Sequence, residues 1–341
     1  MQALHILTTA ANAVLPIVLL ILLGYVLRQK NFLSAEFVKL GNKLVFNICL
    51  PAMLFINVYD IESFERIQWD IVLYSCVMVF VIFLLGLGVA VLTTRQANRR
   101  GAIAQSVFRS NMAIIGLSLA SAVGGSEAVA VAAIVSAFTV PLFNVLAVFA
   151  LSMFADGDKK GNRDFGRILK NIATNPLIVS IAIGMVCLLI RGAQTKFFGE
   201  PVFLLSRDVK FLYTCLNNLK AIASPFALLV LGGQFTFSAV KALWKEIVAG
   251  TFSRIVLSPL VGIGVAVLLG AMGVISCGVN EFPALIALFG SPTAVSSAVM
   301  AAQMGADEQL ATQLVVWTSI GSIFTVFLTV VILMSMGLLA V

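Results

Sequence analysis

Ten long apolar runs alternate with short polar connectors along the chain. They cover roughly residues 11–27, 39–58, 70–94, 102–123, 127–154, 171–190, 213–237, 247–274, 282–304 and 310–341. Most are close to the ~20 residues that an α-helix needs to cross the hydrocarbon layer, and the last, longer run could tilt. Apolar positions within a run are continuous. A membrane β-barrel, whose strands alternate lipid-facing and lumen-facing residues, does not fit that pattern. The pattern therefore predicts an all-α membrane protein with ten transmembrane helices.

Composition strengthens this picture. Of the 341 residues 60% are hydrophobic and 11% charged, against roughly 45–50% and 25% in a soluble domain. The five cysteines, Cys49, Cys76, Cys187, Cys215 and Cys277, lie in or beside apolar runs and form no C-x-x-C pair. A disulfide framework or zinc site is not expected. The one histidine, His5, lies near the N-terminus, and a histidine-based triad is not expected. The N-terminus shows neither a basic leader nor a small-residue cleavage site, so its first apolar run is expected to be a retained membrane helix.

The net charge of +7 suggests nucleic acid until its distribution is followed. Of the 22 Lys and Arg residues, 16 fall in or beside the odd-numbered connectors and 6 in or beside the even ones. Arg109 and Arg254 are counted here with the odd connectors. The positive-inside rule then places the odd connectors in the cytoplasm and both termini outside. The basic excess is a topology signal, and no nucleic-acid partner is expected.

The chain also repeats itself. Val107-Phe108-Arg109-Ser110-Asn111-Met112-Ala113 aligns with Leu288-Phe289-Gly290-Ser291-Pro292-Thr293-Ala294 at an offset of 181. The alignment continues without a gap to Glu127 and Glu308. Pro51-Ala52-Met53-Leu54-Phe55 matches Pro225-Phe226-Ala227-Leu228-Leu229, and Pro16 with Gly24 matches Pro176 with Gly184. Each repeat holds five spans, and an odd number inverts the second copy, as in many secondary transporters. The expected organisation is a first repeat at 1–155, a cytoplasmic linker at 156–170 and a second, inverted repeat at 171–341.

Transporter sites lie where helices break near the bilayer midplane. The offset makes Asn111 and Pro292 equivalent, and both lie well inside their spans, four and nine. Proline frees a carbonyl, and asparagine can bond freed groups or a ligand. Two crossed, broken helices are predicted there, with half-helix N-termini aimed at a bound anion. The hydroxyls of Ser291 and Thr293 are candidate donors beside Pro292. Arg109 and Lys220 either snorkel or add positive potential on the anion's path. Asn47 and Gln234 could face the same cavity or bond between helices, while Asn144 reads as packing. All 15 acidic residues lie in connectors or at span ends. That argues against a cationic substrate and weakens proton coupling. Sodium held by carbonyls stays open.

These residues resemble the auxin efflux carrier family, which includes the plant PIN proteins and bacterial members. The resemblance covers essentially the whole chain. It rests on Asn111 with Gly116, on Ser291-Pro292-Thr293 followed by Ala301 and Gly305-Ala306-Asp307, on Ser224-Pro225-Phe226-Ala227 with Gly232, and on Asn175-Pro176. Departures are Ser118, where the family often has proline, and Ser110 and Met112 around the asparagine. The resemblance implies a scaffold of spans one, two, six and seven, with the other spans forming a transport domain that holds the crossover. It implies carboxylate substrates, auxin in plants and malate- or malonate-like acids in bacteria. The short central loop matches bacterial members, so a multi-pass protein of the bacterial inner membrane is expected.

The sequence thus reads as a secondary active or voltage-driven carrier of small organic anions. Its substrate-binding candidates are Asn111, Ser291, Pro292, Thr293, Asn47, Lys220 and Arg109. A sodium-coupled organic anion symporter of the bile-acid type is the alternative. No H-E-x-x-H motif, paired membrane aspartates or ATP-binding loop appears, so no enzyme activity is expected. No cofactor or metal is expected. The expected partners are the anion and the lipid bilayer, with a homodimer admitted.

The charge asymmetry predicts sidedness directly. In a cysteine-free background, a membrane-impermeant thiol reagent added to intact cells should label Gln2→Cys and spare Lys160→Cys until the cells are permeabilised. The reverse pattern would overturn the orientation.

Overall fold

The computed structural model describes residues 2–61, 68–155, 166, 170 and 172–339. The linker expected at 156–170 therefore lies almost wholly outside the described residues. The described chain is helical, without a named strand. Its helices are α1 (Gln2–Gln29), α2 (Ala35–Tyr59), α3 (Trp69–Thr93), α4 (Ala97–Phe108), α5 (Leu117–Ala155), α6 (Pro176–Phe198), α7 (Lys210–Gln234), α8 (Trp244–Ala271), α9 (Glu281–Leu285), α10 (Ser296–Gln303) and α11 (Glu308–Ser335). Short helices Leu205–Asp208 and Phe237–Ala242 lie in connectors. Seven of the described helices are long and apolar enough to cross a membrane.

Element boundaries follow local chemistry. The expected span at 171–190 starts later, at Pro176, because the Asn175 side chain accepts from the Leu177 N–H and caps the helix ahead of a proline at its first position. The last run reads as apolar to the C-terminus, yet α11 stops at Ser335, ahead of Gly337 with φ of 73°. At the start of α11 Asp307 caps the Leu310 N–H. Within α5, Gly125 has φ 68° and ψ −158°, a conformation open essentially to glycine alone. It separates the residues predicted as the end of span four from span five.

Among the described residues four π turns interrupt the helices, at Val45–Cys49, Met112–Gly116, Ser253–Leu257 and Ile286–Gly290. The first and third lie just upstream of Pro51 and Pro259. A proline lacks the N–H that the carbonyl four residues earlier would use, and its ring crowds that carbonyl. A widened turn relieves both problems, and such turns often mark functional sites.

One group of helices is joined by backbone contact. α1 packs on α7, and α2 packs on both α6 and α7. Gly24 faces the Leu229 carbonyl so closely that a Cβ would lie 2.1 Å from its oxygen, and a Cβ on Gly232 would lie 2.0 Å from Ile21 O. Gly184 approaches the Phe55 carbonyl in the same manner, at 3.1 Å. The remaining helices pack around α4, α5, α9 and α10, and α11 also packs on α1. At one end they are tied by Arg99, whose Nη1 lies 2.8 Å from Glu246 Oε1 and whose Nε lies 3.2 Å from Asp307 Oδ2.

The glycine contacts predict a sharp contrast. Gly24→Ala forces backbone apart between α1 and α7, an overpacking cost of about 1–3 kcal/mol or more. Gly88→Ala, with open space around the added carbon, should be neutral. Thermal unfolding of the two detergent-purified variants measures this, and equal stabilities would contradict the packing.

Candidate functional site

The site begins with two broken helices. α4 ends at Phe108, and the chain runs extended through Arg109 and Ser110 before the π turn that leads into α5. α9 and its π turn end at Gly290, and the chain runs through Ser291, Pro292 and Thr293 before α10. The two extended segments cross antiparallel. Asn111 N–H donates to Pro292 O at 2.9 Å, and Ala294 N–H donates to Arg109 O at 3.1 Å. Each break thus supplies partners for the other's backbone, which lipid could not do. Side chains reinforce the crossing. Thr293 Oγ1 donates to Ser106 O at 2.9 Å, Thr293 N–H to Thr318 Oγ1 at 3.1 Å, and Gln105 Nε2 to Ser297 O at 2.9 Å.

A cavity of about 50 Å³ lies against this crossing. Leu50, Met53 and Leu54 of α2 and Ser224 and Ala227 of α7 form one wall. Arg109, Ser110, Asn111 and Ala113, with Ala294, Val295 and Ser296 where α10 begins, form the other. Val140, Phe143 and Asn144 of α5 close it. The starts of two half-helices therefore border the cavity, and such ends carry partial positive charge.

Its chemistry is cationic. Arg109 is only 3% exposed. Its Nη2 donates to Asn144 Oδ1 at 2.7 Å and its Nη1 to the Met300 sulfur. Among the described residues no Asp or Glu pairs with it. Asn111 is buried, and its Nδ2 donates to no group among the described residues. Asn144 spends its own Nδ2 on Val140 O at 2.8 Å, which fixes its oxygen toward the guanidinium. A guanidinium with neutral partners and a spare amide donor are both groups able to meet negative charge.

Of the residues singled out from the sequence, Arg109 and Asn111 line the cavity. Ser291, Pro292 and Thr293 belong to the crossing but not to the lining. The Thr293 hydroxyl is taken by Ser106 O, and Pro292 contributes its carbonyl to Asn111. Asn47 is exposed and bonds Lys43 O one turn back at 2.8 Å. Lys220 Nζ lies 3.7 Å from Asp60 Oδ2, at the end of α2. The structure does not bring these two to the cavity. Asn144, read from sequence as packing, does line it.

The largest correction is Arg254. Counted by sequence with the connectors, it is 1% exposed and sits inside the π turn of α8. Its guanidinium donates to Ser291 O at 2.6 and 2.9 Å, Leu288 O at 3.1 Å, Val107 O at 3.1 Å and Phe108 O at 3.3 Å. A second, wider cavity of about 690 Å³ opens on the side of the first connector. Arg28, Lys39, Asn42 and Gln234 line it with Gln303 and Gln309. Gln303 ends α10, whose first residue, Ser296, borders the crossing cavity, so about 10 Å of helix separates the two spaces.

The cation at Arg109 makes one substitution unusual. Asn144→Asp would set a carboxylate where an amide oxygen now accepts from a buried guanidinium. A charged partner for an unpaired buried cation should raise the unfolding midpoint by roughly 3 °C or more, where most core substitutions lower it. A fall in the midpoint, measured in detergent at neutral pH, would count against an unpaired charge at Arg109.

The family model for "Membrane transport protein" matches residues 9–330. An uncharacterized transporter of Methanothermobacter thermautotrophicus is 22% identical over 95% of this chain and 98% of its own. The uncharacterized transporter YfdV of Escherichia coli K12 is 23% identical over 94% and 96%. One from Methanocaldococcus jannaschii is 24% identical over 77% and 80%.

Proposed function

The chain belongs to the membrane transport protein family, and from that premise we propose that this transporter carries small organic anions, held at the helix crossing by Arg109 and Asn111. The observation that carries this reading is the guanidinium of Arg109, buried in a membrane protein with only neutral partners. An uncompensated charge in such a place costs several kcal/mol. A carboxylate entering the cavity offsets that cost and takes up the free Asn111 amide. Malate-, malonate- and auxin-like acids all present such a group.

Two features support ten spans arranged as inverted repeats. Asn111 and Pro292, equivalent at the offset of 181, are the residues that meet at the crossing. Gly24 meets Leu229 and Gly184 meets Phe55, and the sequence alignment pairs each member of one contact with a member of the other. The cavity lies between α2 and α7 on one side and the crossing on the other. That position suits alternating access, in which the crossing domain moves against a fixed scaffold of spans one, two, six and seven. The wide polar cavity beside Arg28 and Lys39 is the approach from the side of the odd connectors, which the charge asymmetry makes cytoplasmic. Both termini are then extracytoplasmic in a multi-pass protein of the inner membrane. The energy source in this reading is a solute gradient or the membrane voltage.

A panel of mono- and dicarboxylates screened by thermal shift should yield acids that stabilise the purified protein. Arg109→Gln should weaken the best of them by about a hundredfold, since it removes a charge-assisted contact in a low dielectric. Asn111→Ala should cost one or two hydrogen bonds to a charged group, about 1.5–3 kcal/mol each and thus tenfold or more in affinity. Asn111→Asp should bind worse still, through like-charge repulsion. Lys220→Gln and Asn47→Ala should bind as wild type. Uptake of the same labelled acid into proteoliposomes follows the same order. Undiminished binding in both Arg109→Gln and Asn111→Asp would remove the anion from this site.

A further inference from the structure

We infer that Arg254 is the resident cation of the crossing, a tethered guanidinium held where a carrier built on broken helices would otherwise take up a coupling metal cation. The argument starts from helix ends. A helix terminates in carbonyls without partners and in partial negative charge. Two such ends, those of α4 and of the π turn after α9, point into one place in the interior. In broken-helix carriers such carbonyls and half-helix C-termini are the ligands of sodium. Here the carbonyl oxygens of Val107, Phe108, Leu288 and Ser291 all accept from the Arg254 guanidinium, which also lies 3.4 Å from Ser258 Oγ.

The fit is specific to arginine. Five N–H donors in one plane meet oxygens from both half-helices at once, which the point charge of a lysine could not do. No carboxylate is paired with it among the described residues. Its counter-charge is the sum of two helix ends. The oxygens that would form a cation cage are already occupied, and the charge that sodium would bring is already present. Arg109 on the other side of the crossing faces the cavity, whereas Arg254 is absent from its lining. The two cations therefore divide the work. Arg109 meets the solute, and Arg254 is a positioning residue that holds both breaks in register.

This rests on the carrier reading above, and its test leaves the anion out so that the two can fail separately. Unfolding of purified wild type, followed by tryptophan fluorescence, should be the same in sodium, potassium and choline chloride. Arg254→Ala should lose roughly 5 °C or more and should recover most of it with millimolar guanidinium, but not with urea or choline at equal concentration. Recovery by sodium alone would equally identify the vacated oxygens as a cation site. Insensitivity of the variant to every small cation would overturn the proposal. So would saturable stabilisation of wild type by sodium. Should Arg254→Ala fail to fold, binding of radioactive sodium to wild type decides. Absence of saturable binding is the expected result, and saturable binding overturns the assignment.

Discussion

Lipid offers no hydrogen-bond partner, so every backbone group taken out of a helix must find one inside the protein. That constraint shapes the centre of this molecule. Two helices are interrupted deep in their spans, and the freed groups satisfy one another. Asn111 N–H meets Pro292 O, Ala294 N–H meets Arg109 O, and the remaining carbonyl ends converge on Arg254. The crossing sorts charge as it does so. Partially negative helix ends are gathered on a cation, and helix starts are left bordering the cavity with Arg109. Electropositive character at the cavity follows from how the breaks are satisfied.

The glycine-tight contacts join α1 to α7 and α2 to α6. At Gly24 and Gly232 the backbones of α1 and α7 approach so closely that neither helix can slide without separating from the other. The cavity wall contributed by α2 and α7 is apolar except for Ser224. Hydrogen bonds at the crossing run within the group of broken helices and their supports. The polar network thus lies on one side of the cavity and the apolar wall of α2 and α7 on the other.

Much of this was legible in the sequence, for identifiable reasons. Proline and asparagine deep in apolar runs are local signals of a broken helix, and the gapless offset of 181 marked the two breaks as counterparts. The orientation of side chains was not legible. Ser291 and Thr293 neighbour the site in sequence, but which face of an extended segment points to the cavity depends on the partner strand, and here Thr293 turns to Ser106. Asn144 stands alone in an apolar helix, and only the fold shows that its oxygen meets Arg109. Arg254 lies near the start of its span, where an arginine ordinarily snorkels. Its burial depends on carbonyls far away in sequence. Lys220 and Asn47 carry suitable chemistry on faces turned elsewhere.

Arg254 also bears on the order in which the chain is made. Its partners Val107 and Phe108 precede it by 147 and 146 residues, whereas Leu288 and Ser291 follow it by 34 and 37. At about 5–20 residues per second of synthesis, α8 emerges a few seconds before half of its bonding partners exist. During that interval the nascent guanidinium has one helix end to cap and lacks the other. The capping of Arg254 is thus incomplete until α9 and its π turn have been made, and a ribosome that stalls between residues 255 and 287 would leave its charge half-satisfied. Synthesis of α9 and its π turn, and not of α4 or α8, completes the centre of this protein.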